Sequence, residues 1–174
     1  MPKGIRPTQD MVRQALFNSL GERIVDARVL ELFAGSGALG LEAWSRGAAS
    51  VTWVEQDPAV VSGLKRNIDE LCKGAAGLSV VRSDALKYLE HFTGGAFDLI
   101  LADPPYDKSG DNAWLGKTLI ALEQRPILAA NGILAFEQGA AEALPDRPDW
   151  NILREKRYGE TRLLLLARKA KEVS

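Results

Sequence analysis

A carboxylate, two prolines and an aromatic ring follow one another at Asp103, Pro104, Pro105 and Tyr106. They come directly after the apolar run 97–102, whose pattern is typical of a buried strand. Because proline cannot donate a hydrogen bond to a strand ladder, the strand must end there in a rigid loop. The loop offers a carboxylate, backbone carbonyls and a flat aromatic face, which could together hold a planar ring with an exocyclic amine. An ordinary proline-rich turn with a core tyrosine has the same composition.

A second segment of chemical interest lies at residues 29–40, where a strand runs into a glycine-rich turn and then into a helix. Gly35, Gly37 and Gly40 have the spacing GxGxxG, in which glycine permits a tight turn and close approach to a ligand. Glu55 ends the next predicted strand, from which a carboxylate can accept hydrogen bonds from ribose hydroxyls. These features fit an adenosine-containing ligand and leave both NAD and S-adenosylmethionine open.

Two further acids bear on the nature of this ligand. Glu31 lies close to the glycine turn, where its carboxylate would repel a pyrophosphate but suit a cationic amino group and a sulfonium. The alternative for Glu31 is a solvated acid at a strand end. Asp84 follows the third predicted strand, where it would accept from an adenine amine or, with Ser83, cap the next helix. Glu31 thus favours S-adenosylmethionine over NAD.

The elements that must position these residues alternate along the chain. Apolar runs bounded by turn residues predict strands at about 28–33, 51–55, 79–82, 97–102 and 132–137. Helices are predicted from a cap at Thr8 to about Gly21, from the Asp57-Pro58 pair onwards, and at 38–46, 85–92 and 113–124. Such alternation indicates a mostly parallel sheet with helices on both faces, whose ligands bind at the carboxyl ends of the strands.

The end of the chain departs from this alternation. Residues 151–157 and 162–168 are two strand-like runs separated only by residues 158–161. Because this connection is too short for a crossover helix, the two runs are expected to form an antiparallel hairpin. An ordinary dinucleotide-binding fold does not explain that ending.

Composition narrows the class of protein. The chain has 174 residues, of which 46% are hydrophobic and 26% charged, and a formal net charge of −1. We expect one globular domain over 1–174, with an N-terminal segment and helix at 1–27 and a core at 28–174. Cys72 and His91 are the single cysteine and histidine, which excludes an internal disulfide and leaves no zinc cluster. With no apolar run of membrane length and no signal peptide at the start, we expect a cytoplasmic monomer without a metal.

Several of these segments resemble a known superfamily. The stretch Glu31–Gly37, Glu55, the Ser83-Asp84 pair and Asp103–Tyr106 resemble the successive motifs of class I S-adenosylmethionine-dependent methyltransferases, in the order of that superfamily. The glycine segment and Asp-Pro-Pro-Tyr are specific for it. A methyltransferase is therefore the first functional expectation.

A narrower resemblance covers nearly the whole chain. Arg6-Pro7-Thr8, Leu16-Phe17-Asn18, the stretch Phe33–Ala43 and the late Tyr158–Thr161 resemble the bacterial family that methylates guanine N2 in 16S ribosomal RNA. Members of that family usually carry a basic segment ahead of Arg-Pro-Thr, implied to help grip RNA, whereas only residues 1–5 precede it here. The resemblance implies 16S ribosomal RNA, free or in a small ribosomal subunit particle, as the partner.

The resemblance also implies a fold and a set of site residues. The fold is a single Rossmann-like domain with a seven-stranded, mostly parallel sheet, a C-terminal antiparallel hairpin and helices on both faces. The catalytic group implied comprises Asp103, Pro104, Pro105 and Tyr106. The cofactor implied is S-adenosylmethionine, and the residues implied to bind it are Glu31, Phe33, Ala34, Gly35, Ser36, Gly37, Glu55, Gln56, Ser83, Asp84, Ala85 and Asp103.

Basic side chains concentrate near both ends of the chain. If these ends lie beside the strand tips, they could contact phosphates, and the candidates are Arg6, Thr8, Arg13, Arg157 and Arg162. Solvated surface charges explain most of them equally well. The net charge of −1 lies far from the strongly positive balance of a self-sufficient nucleic-acid binder.

Other functions share part of this pattern. A methyltransferase acting on DNA adenine or cytosine, or on a protein amide, would use the same proline loop, although the chain has no room for a DNA-recognition domain. A nicotinamide oxidoreductase fits the glycines and Glu55 but leaves Asp103–Tyr106 unexplained. A non-catalytic S-adenosylmethionine-binding module would have no need of that loop.

Overall fold

Seven strands form one sheet in the computed structural model, which describes residues 7–107 and 109–171. They are β1 (Arg28–Leu32), β2 (Ser50–Glu55), β3 (Leu78–Arg82), β4 (Phe97–Ala102), β5 (Leu128–Gly139), β6 (Trp150–Tyr158) and β7 (Thr161–Arg168). Their spatial order is β3-β2-β1-β4-β5-β7-β6. The first five strands run parallel, whereas β7 is antiparallel to both β5 and β6. The predicted mostly parallel sheet with a C-terminal antiparallel hairpin is confirmed.

In the described part of the chain, five α-helices alternate with the strands. They are α1 (Pro7–Leu20), α2 (Ala38–Ser45), α3 (Pro58–Cys72), α4 (Ala85–His91) and α5 (Trp114–Gln124), and a 3₁₀ turn at Gly21–Ile24 follows α1. Helix α1 begins at Pro7, so Thr8 lies within the helix and the prediction that it precedes the helix as its cap is wrong. Proline is well suited to the first helical position because the N–H it lacks would have no partner there.

Strand β5 begins earlier than predicted. Its first residue is Leu128, not residue 132, and Leu128 pairs with Phe97 before an irregularity shifts the register to Leu99 and Ile133. The intervening residues 129–132 contain Asn and Gly, which are ordinary turn residues and hide the strand from pattern analysis.

Two apolar layers hold the helices against the sheet. On one face Val29 packs in a cluster with side chains of α1, α2 and α3, among them Phe17 and Leu64. On the other face its neighbour Leu30 packs with side chains of α4 and α5, among them Leu119. Because successive strand residues point to opposite faces, a strand buried on both faces is a continuous apolar run. Because both faces of the sheet are covered by apolar side chains, polar functional side chains are expected at the strand ends.

Helices α3 and α4 both start at the carboxyl edge of the sheet. The Asp57 carboxylate accepts hydrogen bonds from the Ala59 and Val60 amides at 2.8 and 3.2 Å. The Asp84 carboxylate accepts from the Lys87 amide at 3.0 Å. Each acid satisfies amides that the first helical turn leaves without partners, so the turns after β2 and β3 are fixed.

The division of the chain into a single domain stays a prediction. Of the helices described, none combines the length and the apolar character that crossing a membrane requires.

Candidate functional site

A cavity of about 680 Å³ opens where strands β1 to β4 end. We call it the strand-end cavity. Glu31 and Gly37 do not line it, and neither do the candidate RNA contacts within the described chain. The predicted residues that do line it are Phe33, Ala34, Gly35, Ser36, Glu55, Gln56, Ser83, Asp84, Ala85, Asp103, Pro104, Pro105 and Tyr106. Segments far apart in the sequence therefore form one site of a volume typical for small-molecule pockets.

Glu55 ties the glycine turn to the end of β2. Its Oε2 accepts a hydrogen bond from the Gly35 amide at 2.8 Å. Its Oε1 accepts from the amides of Gln56 and Asp57, both at 3.0 Å. A carboxylate oxygen has two lone pairs, so Oε2 keeps one acceptor position for a ligand hydroxyl. The predicted ribose contact is compatible with this geometry and stays a prediction.

The three glycines of the GxGxxG segment have different reasons to be glycine. Gly35 has a φ of +56°, and a Cβ there would meet no atom within 4 Å. A Cβ at Gly37 would collide with Leu64, and one at Gly40 would collide with Trp53 and lie 2.8 Å from Glu31 Oε2. Gly35 thus borders the cavity, whereas Gly37 and Gly40 allow α2 to pack closely on the sheet.

Glu31 is buried, with only 4% of its surface exposed. Its Oε2 accepts a hydrogen bond from the Gly40 amide at 2.7 Å. Burial raises its pKa to about 8, the Gly40 hydrogen bond opposes that rise, and the charge of Asp103 adds to it. In this structure Glu31 fixes the start of α2, and its predicted contact with a cationic ligand stays a prediction.

Phe33 holds an unusual backbone conformation beside the cavity. Its φ is +54°, in the left-handed region that L-residues with a Cβ rarely adopt. The ring packs edge-on against Trp114, with centroids 5.3 Å apart. The Ala34 amide that follows donates to the Val54 carbonyl at 3.0 Å, which fixes the turn. Strain of this kind concentrates at ligand sites, in keeping with the position of Phe33 in the cavity wall.

The Asp-Pro-Pro-Tyr loop forms the other side of the cavity. Asp103 opens onto the cavity, and desolvation by the surrounding protein raises its pKa to about 6. The Tyr106 ring is 56% exposed, and its hydroxyl lies 2.6 Å from Thr161 Oγ1. Asp107 then fixes the next turn by accepting from the Asn112 amide at 2.7 Å. The loop thus presents a carboxylate and an aromatic face on a fixed backbone.

Sequence analysis missed several residues of the cavity wall. Glu137 lies in β5, two residues before its end, and its pKa is raised to about 8 by burial and by the charge of Asp103. Its signal was present in the sequence, because the apolar run Ile133–Phe136 is followed directly by Glu137, just as the run 97–102 is followed by Asp103. The other missed residues are Gln9, Val54, Trp114, Gly159, Glu160 and Thr161.

The cavity is an acidic environment. Asp103 interacts repulsively with Glu31 on one side and Glu137 on the other. Closely placed carboxylates favour a bound cation and stabilise positive charge that develops during a reaction. Within 7–107 and 109–171, no group of three or more His, Cys, Asp or Glu side chains is arranged to hold a metal ion.

The candidate RNA contacts have different environments. Arg6 and the side chain of Thr8 lie outside the described residues. Arg13 pairs with Asp10 at 2.8 Å, and Arg157 is exposed at the end of β6. Arg162 donates to Glu155 at 3.1 Å and to the carbonyls of residues 140 and 142. Both terminal nitrogens of the Arg162 guanidinium are thus bound within the protein, and its predicted contact with RNA stays a prediction.

Comparisons with known proteins agree with this geometry. Residues 1–167 match the model of a family described as conserved hypothetical protein 95. The chain is 40% identical to ribosomal RNA small subunit methyltransferase D of Escherichia coli strain K12, over 96% of this chain and 81% of that protein. It is 33% identical to the protein of the same name from Haemophilus influenzae, over 90% of this chain and 80% of that protein.

Solved structures show the same fold. The structure of yhhF from Escherichia coli superposes with a TM-score of 0.84 at 40% identity, covering 98% of this chain and 91% of that one. The structure of the hypothetical protein TTHA0928 from a Thermus species superposes with a TM-score of 0.76 at 30% identity, covering 96% of this chain and 91% of that one.

Proposed function

The chain belongs to the conserved hypothetical protein 95 family, and we propose that it transfers a methyl group from S-adenosylmethionine to the N2 amine of a guanine in 16S ribosomal RNA. The relatives that carry the name ribosomal RNA small subunit methyltransferase D support the reaction and the substrate class. The family resemblance predicted from the sequence is confirmed. We further propose that the protein acts as a cytoplasmic monomer, on naked RNA or on an assembled small subunit particle.

One observation carries the proposal. The strand-end cavity joins the glycine turn and Glu55 to Asp103 and Tyr106. The first pair suits an adenosine-containing cofactor, and the second suits a planar ring with an exocyclic amine. A site for a methyl donor therefore opens directly onto a site for a methyl acceptor, which is what direct transfer requires.

The cavity residues fit the proposed cofactor. Gly35 leaves open space beside the backbone, and Glu55 Oε2 keeps an acceptor position for a ribose hydroxyl. Ser83, Asp84 and Ala85 line the wall after β3, where an adenine would lie. When bound, S-adenosylmethionine supplies an electrophilic methyl group on a sulfonium. The acidic surroundings of Asp103 suit that positive charge.

Asp103 and the Pro104 carbonyl are the groups that we assign to the acceptor amine. The amine nitrogen of guanine is a poor nucleophile because its lone pair is delocalised into the ring. Two fixed acceptors, one for each amine hydrogen, orient the nitrogen and favour its pyramidal form. As the new bond forms, the nitrogen gains positive charge. The Asp103 carboxylate therefore stabilises the transition state more strongly than it stabilises the ground state. Asp103 or solvent then takes the released proton.

Tyr106 provides the stacking surface in this proposal. Tyr106 is 56% exposed beside the cavity, and its hydroxyl forms a hydrogen bond with the hydroxyl of Thr161. A guanine must leave its stack before its amine can reach Asp103, and an aromatic face replaces the lost stacking. Because stacking tolerates any base, Tyr106 does not choose guanine.

Phosphate contacts are assigned to the exposed edge of the hairpin. Residues 151–157 of β6 are all exposed, and this stretch includes Arg154, Lys156 and Arg157. Strand β6 forms the edge of the sheet, and the turn after it reaches the cavity at Gly159 and Glu160. Cations on this edge would position RNA without reading its sequence.

The experiment that tests the function identifies the product. The protein is incubated with radiolabelled S-adenosylmethionine and small subunit particles from cells that lack this activity, and the RNA is then digested to nucleosides. Label in N2-methylguanosine is the expected result, and mapping by primer extension locates the guanosine. Label in another nucleoside would contradict the proposal that guanine is the target base. No label, with intact cofactor binding, would contradict the proposal that ribosomal RNA is the substrate.

A further inference from the structure

Glu137 and Asp103 lie on neighbouring strands at the same level of the sheet, Asp103 just after the end of β4 and Glu137 near the end of β5. Strands β4 and β5 run parallel, and Ala102 pairs with Phe136. The residues that follow this pair are Asp103 and Glu137, and both line the strand-end cavity. The mechanism above uses Asp103 and leaves Glu137 without a role.

The two carboxylates differ from the other acids at this edge. Glu31 and Glu55 accept hydrogen bonds from backbone amides. The raised pKa of Glu137 results from burial and the charge of Asp103, with no hydrogen bond from the described residues opposing it. Desolvation alone raises the pKa of Asp103. Asp103 is exposed to the cavity and Glu137 is half-buried, and neither accepts a hydrogen bond from another described residue. Two carboxylates that are free to accept donors from a ligand therefore lie side by side in one wall.

The ligand that satisfies both acceptors must carry two adjacent N–H groups. In guanine the N2 amine lies next to the N1–H, so the amine and this ring nitrogen are two adjacent donors. In adenine the N6 amine lies next to N1, which is an acceptor, and in cytosine the N4 amine lies next to N3, also an acceptor. Guanine is thus the base whose exocyclic amine is accompanied by a ring N–H.

We propose that Glu137 selects guanine by accepting a hydrogen bond from N1–H while Asp103 accepts from the N2 amine. This inference rests on the proposed function and adds a residue that determines base specificity. A donor from the ligand favours the ionised carboxylate, so guanine binding and ionisation of Glu137 support each other. An adenine would instead place the N1 lone pair against the Glu137 carboxylate, and above pH 8, where Glu137 is ionised, two acceptors would face each other without a proton between them.

The test uses 2-aminopurine, which keeps the amine at C2 but has an acceptor at N1 in place of the N–H. Small subunit particles are reconstituted with 16S ribosomal RNA in which the guanosine mapped in the preceding experiment is replaced by 2-aminopurine riboside. Methyl transfer to both RNAs is measured for the wild-type protein and for Glu137→Gln at a pH above 8, where the Glu137 carboxylate is ionised and accepts only. The readout is the ratio of the two kcat/KM values, which a uniform loss of activity does not change.

The wild-type protein is expected to prefer guanosine over 2-aminopurine by about 100-fold or more, as sites built around a hydrogen bond do. In Glu137→Gln the amide can donate to N1, so this preference is expected to fall by about 10-fold or more. Glu160→Gln removes another carboxylate from the cavity wall and is expected to keep the wild-type ratio. Cofactor binding by calorimetry establishes that each variant is folded.

A ratio that is unchanged in Glu137→Gln would overturn the proposal and leave the proposed function standing. Equal transfer to guanosine and 2-aminopurine by the wild-type protein would overturn it without any variant. If the wild-type protein methylates no guanosine, the proposed function itself fails, and the selection fails with it.

Discussion

The hydroxyl of Tyr106 lies 2.6 Å from Oγ1 of Thr161, across 55 positions of sequence. This hydrogen bond joins the Asp-Pro-Pro-Tyr loop to the first residue of β7. Thr161 is buried, whereas the Tyr106 ring is exposed. The C-terminal hairpin therefore orients the aromatic face that we assign to the target base, which gives the unusual antiparallel ending of the sheet a functional role.

Removing this hydrogen bond is expected to weaken RNA binding without affecting the cofactor. Thr161→Val keeps the shape of the side chain and removes the hydroxyl partner of Tyr106. A net loss of about 0.5–1.5 kcal/mol corresponds to an increase in the KM for RNA of about 2- to 10-fold. The KM is measured with small subunit particles, and cofactor affinity is measured by calorimetry.

The matched control is Tyr106→Phe, which removes the other hydroxyl. Because both changes break the same bond, the double variant is expected to be no worse than either single variant. Effects that simply add would show that the two hydroxyls act independently.

Asp103→Asn is expected to abolish most turnover. The amide keeps the size of the side chain but removes the negative charge that stabilises the developing positive charge on the amine nitrogen. Loss of one preorganised electrostatic group costs about 10²- to 10³-fold in rate. The single-turnover rate measures this loss, and calorimetry is expected to show a much smaller loss of affinity for S-adenosylmethionine than the loss of rate. Activity at the wild-type level would rule out the role assigned to Asp103.

The strand ends of this site could be predicted because local sequence determines them. The apolar run before Asp103 and the prolines after it fix where β4 stops, and Asp57-Pro58 marks the start of α3. Parallel topology then brings such ends to one edge.

Relationships between distant segments could not be predicted in the same way. The neighbouring positions of Asp103 and Glu137 depend on the register between β4 and β5, and no local pattern encodes that register. Arg162 is a basic residue of the kind that contacts phosphates, but its guanidinium donates to the backbone carbonyls of Ala140 and Glu142. A charged residue in sequence does not reveal whether the fold uses its donors internally.

The stability of the protein is expected to fall as pH rises from about 6 to about 8. Burial raises the pKa of Glu31 from 4.5 to about 8 in the folded state. Between these values the folded state binds more protons than the unfolded state, so the free energy of unfolding decreases with rising pH. Asp103 and Glu137, whose pKa values are also raised, act in the same direction.

Glu31→Gln isolates the contribution of one of these groups. The amide oxygen can still accept from the Gly40 amide, but the side chain no longer titrates. Urea unfolding at pH 6 and pH 8 is expected to show a loss in the wild-type protein that exceeds the loss in the variant by on the order of 2 kcal/mol. Equal losses in both proteins would mean that Glu31 ionises without cost in the folded state.

Alanine at Gly35 and alanine at Gly40 are expected to affect different properties. Gly40 has no room for a Cβ beside Trp53 and Glu31, so Gly40→Ala should destabilise the fold by about 1–3 kcal/mol through overpacking. Gly35 has open space but a φ of +56°, so Gly35→Ala should cost about 1 kcal/mol in backbone strain and add a methyl group at the cavity wall. Calorimetry below the unfolding temperature is therefore expected to show the greater loss of S-adenosylmethionine affinity in Gly35→Ala, and urea unfolding the greater loss of stability in Gly40→Ala. The reverse order in both measurements would show that the glycine bordering the ligand has been misassigned.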